Sequence, residues 1–373
     1  MRKHQAESIQ QSVAMVGGTT MGTTEGSIVV KRTSAPGDGH RPTLADVATR
    51  AGLSKAAVSM ILNDRPGSRL SAGAAEKVRA AAAELGYRPN PAARSLRLGT
   101  THSIGLISDQ VTITRYATAM VRGTLRAAKE HDVSVLIAET GDETSLGEAL
   151  EEMLHRRVDG VIIGLMAARL VDVPPAPEHV PVVIVNGRTP DDLPSVLPDE
   201  YTAGRTMSDV LLNAGHTRVG FIGDIPRVAS DPRNSVTIAH RVTGIRDAFG
   251  ERDVPLIEVA VDAWGPEVGF TEMNRMLDAE PHLTAVVAAT DGVAFGIYQA
   301  LAERGLRVPD DVSVVSFDDE ELAAILRPGL TTARLPYEQM ARHGVEMLLG
   351  ARERTHELVP MPLITRESVR SLR

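Results

Sequence analysis

Between Ser103 and Phe317, continuous apolar runs alternate with stretches of helical periodicity, and few folds accommodate that alternation. The runs are Ile104–Ile107, Val133–Ala138, Gly160–Leu165, Val182–Val185, Val219–Ile222, Ile257–Val261, Ala285–Ala289 and Val312–Phe317. Most are apolar throughout rather than at every second position, which marks parallel strands buried on both faces. Helical segments at 117–131, 145–156, 201–214, 239–249, 267–279 and 293–305 lie between them. This βα repetition predicts a doubly wound α/β fold. About eight strands over about 260 residues exceed one small sheet, so two lobes are expected. In such folds ligands sit at the carboxyl ends of the strands, and two lobes create a cleft there.

Residues 43–98 follow a different pattern. Thr43 can cap a helix, with Asp46 at capping-box spacing, and Leu44, Val47 and Ala48 share one apolar face. Gly52 ends that helix and Ser54 caps the next, Lys55–Leu62, whose buried side is Val58, Ile61 and Leu62. Lys55, Ala56, Ser59 and Met60 remain on or near its outer face. Ser71 caps a third helix, Ala74–Leu85, closed by Gly86. Two short helices joined by a glycine-containing turn match the helix-turn-helix signature. Pro89 and Pro91 then interrupt the chain. Segment 90–98 is shorter than the roughly 12–15 residues an isolated helix needs in water, so it should form only against a partner.

Charge divides the chain the same way. Residues 41–98 hold ten Lys/Arg and four Asp/Glu, a net +6; residues 1–40 carry +1, which leaves −15 for the rest of a chain of net charge −8. A basic head on an acidic body suggests that only the head approaches a polyanion; a solvated charged surface is the plain alternative. Residues 1–40 are rich in Gly, Ser, Thr and Gln without apolar periodicity, which predicts a disordered leader. The absence of cysteine excludes disulfides and thiolate metal sites. No apolar segment follows the basic start, and no stretch approaches the roughly 18 apolar residues of a membrane helix, so a soluble cytoplasmic protein is expected.

Particular residues narrow the reading. The run Thr43-Leu44-Ala45-Asp46-Val47-Ala48, then Ala51-Gly52-Leu53-Ser54, Val58-Ser59, Leu62-Asn63, Leu85-Gly86-Tyr87, Pro89-Asn90 and Ala92-Ala93-Arg94-Ser95-Leu96 resembles the head of the lactose-repressor/galactose-repressor family. Further matches are Ser103–Ile107, Arg157–Ile162, Gly215-His216, Val308–Val314, Phe317-Asp318 and Leu330–Thr332, so the resemblance spans 41–368. It implies a homodimeric repressor on a pseudo-palindromic operator, whose body is similar to periplasmic sugar-binding proteins. It divides the chain into a head (41–89), a hinge (90–101) and a body (102–373). The N-lobe is expected at about 102–198 and 335–362, the C-lobe at about 199–334 and 363–373.

The resemblance also implies site residues. On the second helix Lys55, Ala56 and Met60 would face base edges, Lys55 donating to guanine and Ala56 touching a thymine methyl. Thr43, Ser54, Ser59 and Asn63 would meet phosphates. Met60 stands where many relatives have a polar side chain, and Ala57 replaces a frequent threonine, so direct base readout looks sparse. Leu96 would wedge between base steps of the minor groove, with Arg94, Ser95 and Arg97 beside it; packing of Leu96 on the body is the alternative. In the body, Arg241 would anchor a small effector, with Asp291 and Asp318 at C-lobe strand ends and Asn186 as their N-lobe counterpart. Tyr116 and Trp264 would stack on a sugar ring. Carboxylates, an amide and a guanidinium at strand ends suit a hydroxyl-rich ligand. Two alternatives stand beside these roles: Asp291 capping its own helix, and Arg241 pairing with a neighbouring acid.

No cofactor or metal is expected. The 11 histidines form no metal spacing, and the dinucleotide, Walker A, nucleophile-elbow and His-Glu-x-x-His motifs are missing, which argues against an α/β enzyme. A binding protein without DNA function is the other rival, and it would not need residues 43–98.

Overall fold

A computed structural model describes residues 42–62, 71–88, 99–109, 115–141 and 144–373. The chain divides into two units, residues 1–89 and 90–373.

The head holds α1 (Leu44–Ala51), α2 (Lys55–Leu62) and α3 (Ala72–Glu84). The expected caps are present. Thr43 and Asp46 form a capping box, and Gly52 closes α1 at φ 66, a left-handed conformation open to glycine. Ser54 Oγ accepts from Ala57 N at 3.2 Å, and Ser71 accepts from Ala74 N. Val47, Ala48, Val58, Ile61, Val78, Ala81 and Ala82 make one small core. Arg50 of α1 pairs with Glu84 of α3 at the surface (Nε–Oε2 3.0 Å).

In the body, a six-stranded parallel sheet forms the N-lobe: β1 (Ser103–Asp109), β2 (Ser134–Thr140), β3 (Val161–Leu170), β4 (Val182–Arg188), β5 (Ser195–Pro198) and β11 (His356–Val359), in the order β11-β5-β4-β3-β1-β2. Helices α4 (Arg115–Glu130), α5 (Leu146–His155) and α12 (Tyr337–Leu348) belong with it. The C-lobe sheet has the order β12-β10-β9-β8-β6-β7. Its strands are β6 (Val219–Asp224), β7 (Leu256–Ala260), β8 (Ala285–Ala288), β9 (Ser313–Asp318), β10 (Thr331–Arg334) and β12 (Leu363–Ile364), the last antiparallel to β10. Helices α6 (Glu200–Asn213), α7 (Pro226–Ala229), α8 (Ile238–Gly250), α9 (Pro266–Ala279), α10 (Asp291–Glu303) and α11 (Glu321–Ile325) complete this lobe.

All eight apolar runs form strands, and the central strands β1, β4, β6, β8 and β9 are buried almost end to end. Apolar contact drives both lobes: Ile104, Leu106, Ile162 and Val183 sit under α4 and α12, while Phe221, Val287 and Phe317 sit under α6 and α8. Four strands did not stand out in the sequence. β5, β10 and β11 are four residues long and β12 two, too short for a period to register. α12 also escaped, because Pro336 precedes it without a side-chain cap and Gly344 interrupts its apolar stripe. The chain passes between lobes at β5–α6, β10–α12 and β11–β12, so each lobe takes segments distant in sequence.

Candidate functional site

On the head, α2 presents Lys55 and Ala56 fully to solvent, with Ser59 and Met60 half-buried beside them. Met60 therefore lies on the outer edge rather than in the core, whereas Ala57 is buried with Val58 and Ile61. The Thr43 hydroxyl bonds Asp46 Oδ2 at 2.7 Å, so it serves the helix cap first. Ser54 likewise caps α2. Asn63, Arg94, Ser95, Leu96 and Arg97 lie outside the described residues, as do the leader 1–40 and the segment 90–98.

In the body, a cleft of about 370 Å³ lies between the lobes at the carboxyl ends of the strands. Tyr116, Asn186, Arg241, Trp264 and Asp318 all line it, although they are scattered over the chain. The lobes touch at its mouth: Val236 N donates to Ala168 O at 2.7 Å, and Leu170 N to Pro232 O at 2.8 Å.

Arg241 is buried and fully engaged. Its Nε and Nη2 donate to Glu200 Oε2 and Oε1 at 2.6 and 2.7 Å, and Nη1 donates to Ala289 O at 2.6 Å. Its guanidinium lies 4.4 Å from the Phe317 ring centroid. Burial disfavours the charge, but the Glu200 carboxylate overrides it and holds the pKa above the ordinary arginine value. Of the two readings of Arg241, pairing with a neighbouring acid is the geometry found. The helix crossing explains the pair. A Cβ on Gly204 of α6 would overlap the Arg241 carbonyl, and one on Gly244 of α8 would overlap the Tyr201 carbonyl. Only glycine allows the two helices this close, and the approach brings Glu200 to Arg241.

Asp291 is placed differently from expectation. It does not line the cleft. It is fully buried, accepting from Ser316 Oγ, from Thr332 Oγ1 at 2.9 Å and from Glu320 N at 2.6 Å. Nor does it cap its helix, since Thr290 accepts from Val293 N and takes that role. Asp291 instead ties β9, β10 and the 318–320 corner together. Burial raises its pKa to about 6, opposed by those hydrogen bonds.

Asp318 sits at the end of β9 with φ 107, a left-handed backbone that costs about 1–3 kcal/mol for a non-glycine residue. The corner is held by Asp319, which binds Arg334 Nε and Arg366 Nη2, both at 2.6 Å. Asp318 is 9% exposed, yet its contacts are long: Tyr116 Oη donates to Oδ2 at 3.4 Å, and Arg241 Nη2 lies 3.8 Å from Oδ1. Burial pushes its carboxyl up to about 8; Arg241 opposes this, and Asp291, Glu200 and Glu320 add to it. Tyr116, from the N-lobe, also donates to Glu320 of the C-lobe, so one phenol bridges the cleft.

Asn186 adopts φ 62, which asparagine tolerates better than most residues. Its Nδ2 donates to Leu165 O (2.8 Å) and to Tyr337 Oη (3.1 Å). Tyr337 Oη donates to Met166 O at 2.9 Å, and its ring stands 5.8 Å from that of Tyr116. Trp264 Nε1 donates to Gly223 O at 2.7 Å. Glu200, Glu320 and Tyr337 are the lining residues that sequence reasoning missed. Glu200 and Tyr337 begin α6 and α12, directly after lobe crossings, and Glu320 follows Asp318 by two residues. The acidic Asp199-Glu200 and Asp318–Glu321 clusters were the available signal. Among the described residues, no group of acidic, histidine or cysteine side chains could hold a metal ion.

A helix-turn-helix head and a two-lobed body with a ligand-sized cleft define a ligand-responsive transcriptional regulator. Residues 43–90 match the bacterial regulatory proteins of the lacI family, and residues 208–369 match the periplasmic binding protein-like domain. The ribose operon repressor of Escherichia coli (strain K12) is 31% identical over 82% of this chain and 92% of its own length. That of Haemophilus influenzae is 30% identical over 89% and 99%. The crystal structure of the lac repressor dimer bound to operator and the anti-inducer ONPF matches with a TM-score of 0.68 and 26% identity, covering 88% of this chain and 99% of that one. The chain belongs to the LacI family of bacterial transcriptional regulators and is not an enzyme.

Proposed function

We propose that this regulator is a cytoplasmic, homodimeric repressor. It holds a pseudo-palindromic operator through its head and releases or grips it according to a small polyhydroxylated effector in the cleft. In this reading Lys55, Ala56, Ser59, Met60 and Asn63 face the major groove. Leu96, flanked by Arg94, Ser95 and Arg97, enters the minor groove. Tyr116, Asn186, Arg241, Trp264 and Asp318 form the effector site, to which we add Glu200, Glu320 and Tyr337.

The bridge from Tyr116 to Asp318 and Glu320 carries the argument. A ligand entering this cleft must alter contacts that join the lobes, and a ligand controls a conformational equilibrium only through differential contacts of that kind. The names of the relatives point the same way: ribose operon repressors, and a CelR–cellobiose complex at 26% identity and TM-score 0.55.

A gel shift of the full chain on DNA upstream of its own coding region, at low and high salt, tests the reading. Retardation should weaken steeply with salt, because phosphate contacts release counterions. A monosaccharide that raises the melting temperature of the chain should also change operator affinity. Salt-independent retardation, or an effector that stabilises the body without moving operator affinity, would overturn it.

A further inference from the structure

We propose that the effector is a polyol bearing a positively charged amino group, an amino sugar, whose ammonium lies against Asp318, Glu320 and the aromatic faces of the cleft. The inference rests on the cleft reading above and narrows its ligand class.

The first argument is charge. Glu200, Asp318 and Glu320 line the cleft against a single guanidinium, Arg241, among the described residues. That guanidinium is held bidentately by Glu200, which leaves Asp318 a distant 3.8 Å contact. The cleft therefore retains negative charge in a site withdrawn from water. Such a site is stabilised by a cation and repels an anion. The upward push on the Asp318 carboxyl reflects the same shortage of positive charge. A phosphorylated sugar would add to the repulsion, and a neutral sugar would leave the charge unanswered.

The second argument is hydrogen-bond accounting. The lining N–H groups are engaged within the protein. Arg241 serves Glu200 and Ala289, Asn186 serves Leu165 and Tyr337, and Trp264 serves Gly223. The Tyr116 and Tyr337 hydroxyls are likewise directed at Glu320 and Met166. What the cleft offers a ligand is chiefly acceptors: the under-coordinated Asp318 carboxylate, the rest of Glu320, and Asn186 Oδ1. An ammonium is a group of three donors and no acceptor, which complements that set.

The third argument is the rings. The chain has only one Trp, five Tyr and five Phe, yet Tyr116, Trp264 and Tyr337 line this one cleft. With their polar ends directed inward, they present π-faces, which attract a desolvated cation.

Isothermal titration calorimetry of the full chain near neutral pH tests the proposal. Glucosamine, galactosamine and mannosamine are each compared with the parent hexose and the uncharged N-acetyl derivative. At least one amine should bind about tenfold more tightly than both of its counterparts. Glu320→Gln and Asp318→Asn should each abolish that preference while the parent hexose still binds; the first keeps an acceptor for Tyr116 and guards against misfolding of the second. Parent or N-acetyl sugars that bind as tightly as the amine, and shift operator affinity, would overturn this inference and leave the cleft reading intact. Failure of every sugar, charged or neutral, to bind would count against both.

Discussion

Glu200, at the start of α6, and Arg241, on α8, form a buried bidentate ion pair in the cleft wall, with Nε–Oε2 at 2.6 Å and Nη2–Oε1 at 2.7 Å. The residue expected to reach out to an effector is thus already held by the protein. Arg241 acts in the cleft by fixing Glu200 and flanking Asp318, and a ligand meets the pair rather than a free guanidinium.

Arg241→Ala should therefore destabilise as well as uncouple. Removing one member of a buried pair strands the other charge, at about 3–5 kcal/mol. Urea unfolding should show a loss of that order, with Glu200→Gln/Arg241→Ala recovering part of it. A gel shift at a temperature where Arg241→Ala remains folded should show operator binding that no longer responds to effector. Normal response would remove Arg241 from the site.

Gly204→Ala tests why the pair exists. The added methyl would meet the Arg241 carbonyl across the α6–α8 crossing, where backbone has no flexible end to yield. Overpacking of this kind costs about 1–3 kcal/mol. Thermal unfolding should report the loss, and effector affinity should fall with it. An unchanged melting temperature would mean that the helices separate freely.

The pH dependence should follow Asp318. Its folded pKa, about 8, lies above its ordinary value of 3.8. Between those values the unfolded chain gives up a proton that the folded chain keeps. The contribution to stability is thus full below the lower value and is lost as pH rises toward the upper one. Asp291, raised to about 6, adds in the same direction at lower pH. Asp318→Asn should flatten the decline of melting temperature from pH 5 to pH 8. An equally steep decline in the variant would exclude Asp318 as its source.

Leu96→Ala should leave folding intact, as judged by circular dichroism, and weaken specific operator binding by an order of magnitude or more. The loss would reflect the wedge and the bend it stabilises, while non-specific binding held by Lys and Arg should persist. Equal affinity of variant and parent for the operator would show that Leu96 does not enter the DNA.

Local chemistry made much of this protein legible in its sequence. The capping box at Thr43 and Asp46, the glycine stop at Gly52 and the apolar runs from Ile104 to Phe317 each act over a few residues, so their elements could be read directly. The lobe assignment of β5, β10, β11 and α12 could not be read this way, because short segments gain their structure from a sheet assembled elsewhere in the chain.

The cleft shows the same division. Sequence alone determined which polar residues stand at strand ends, and Arg241, Asp318, Asn186, Tyr116 and Trp264 do converge. Tertiary structure decided what each one does. It sealed Asp291 behind Ser316 and Thr332, closed Glu200 onto Arg241 through a glycine-to-backbone helix contact, and left Asp318 short of partners. Strand ends follow from local pattern, but the pairing of charges depends on which distant helices approach closely. That distance is set by packing, not by spacing along the chain.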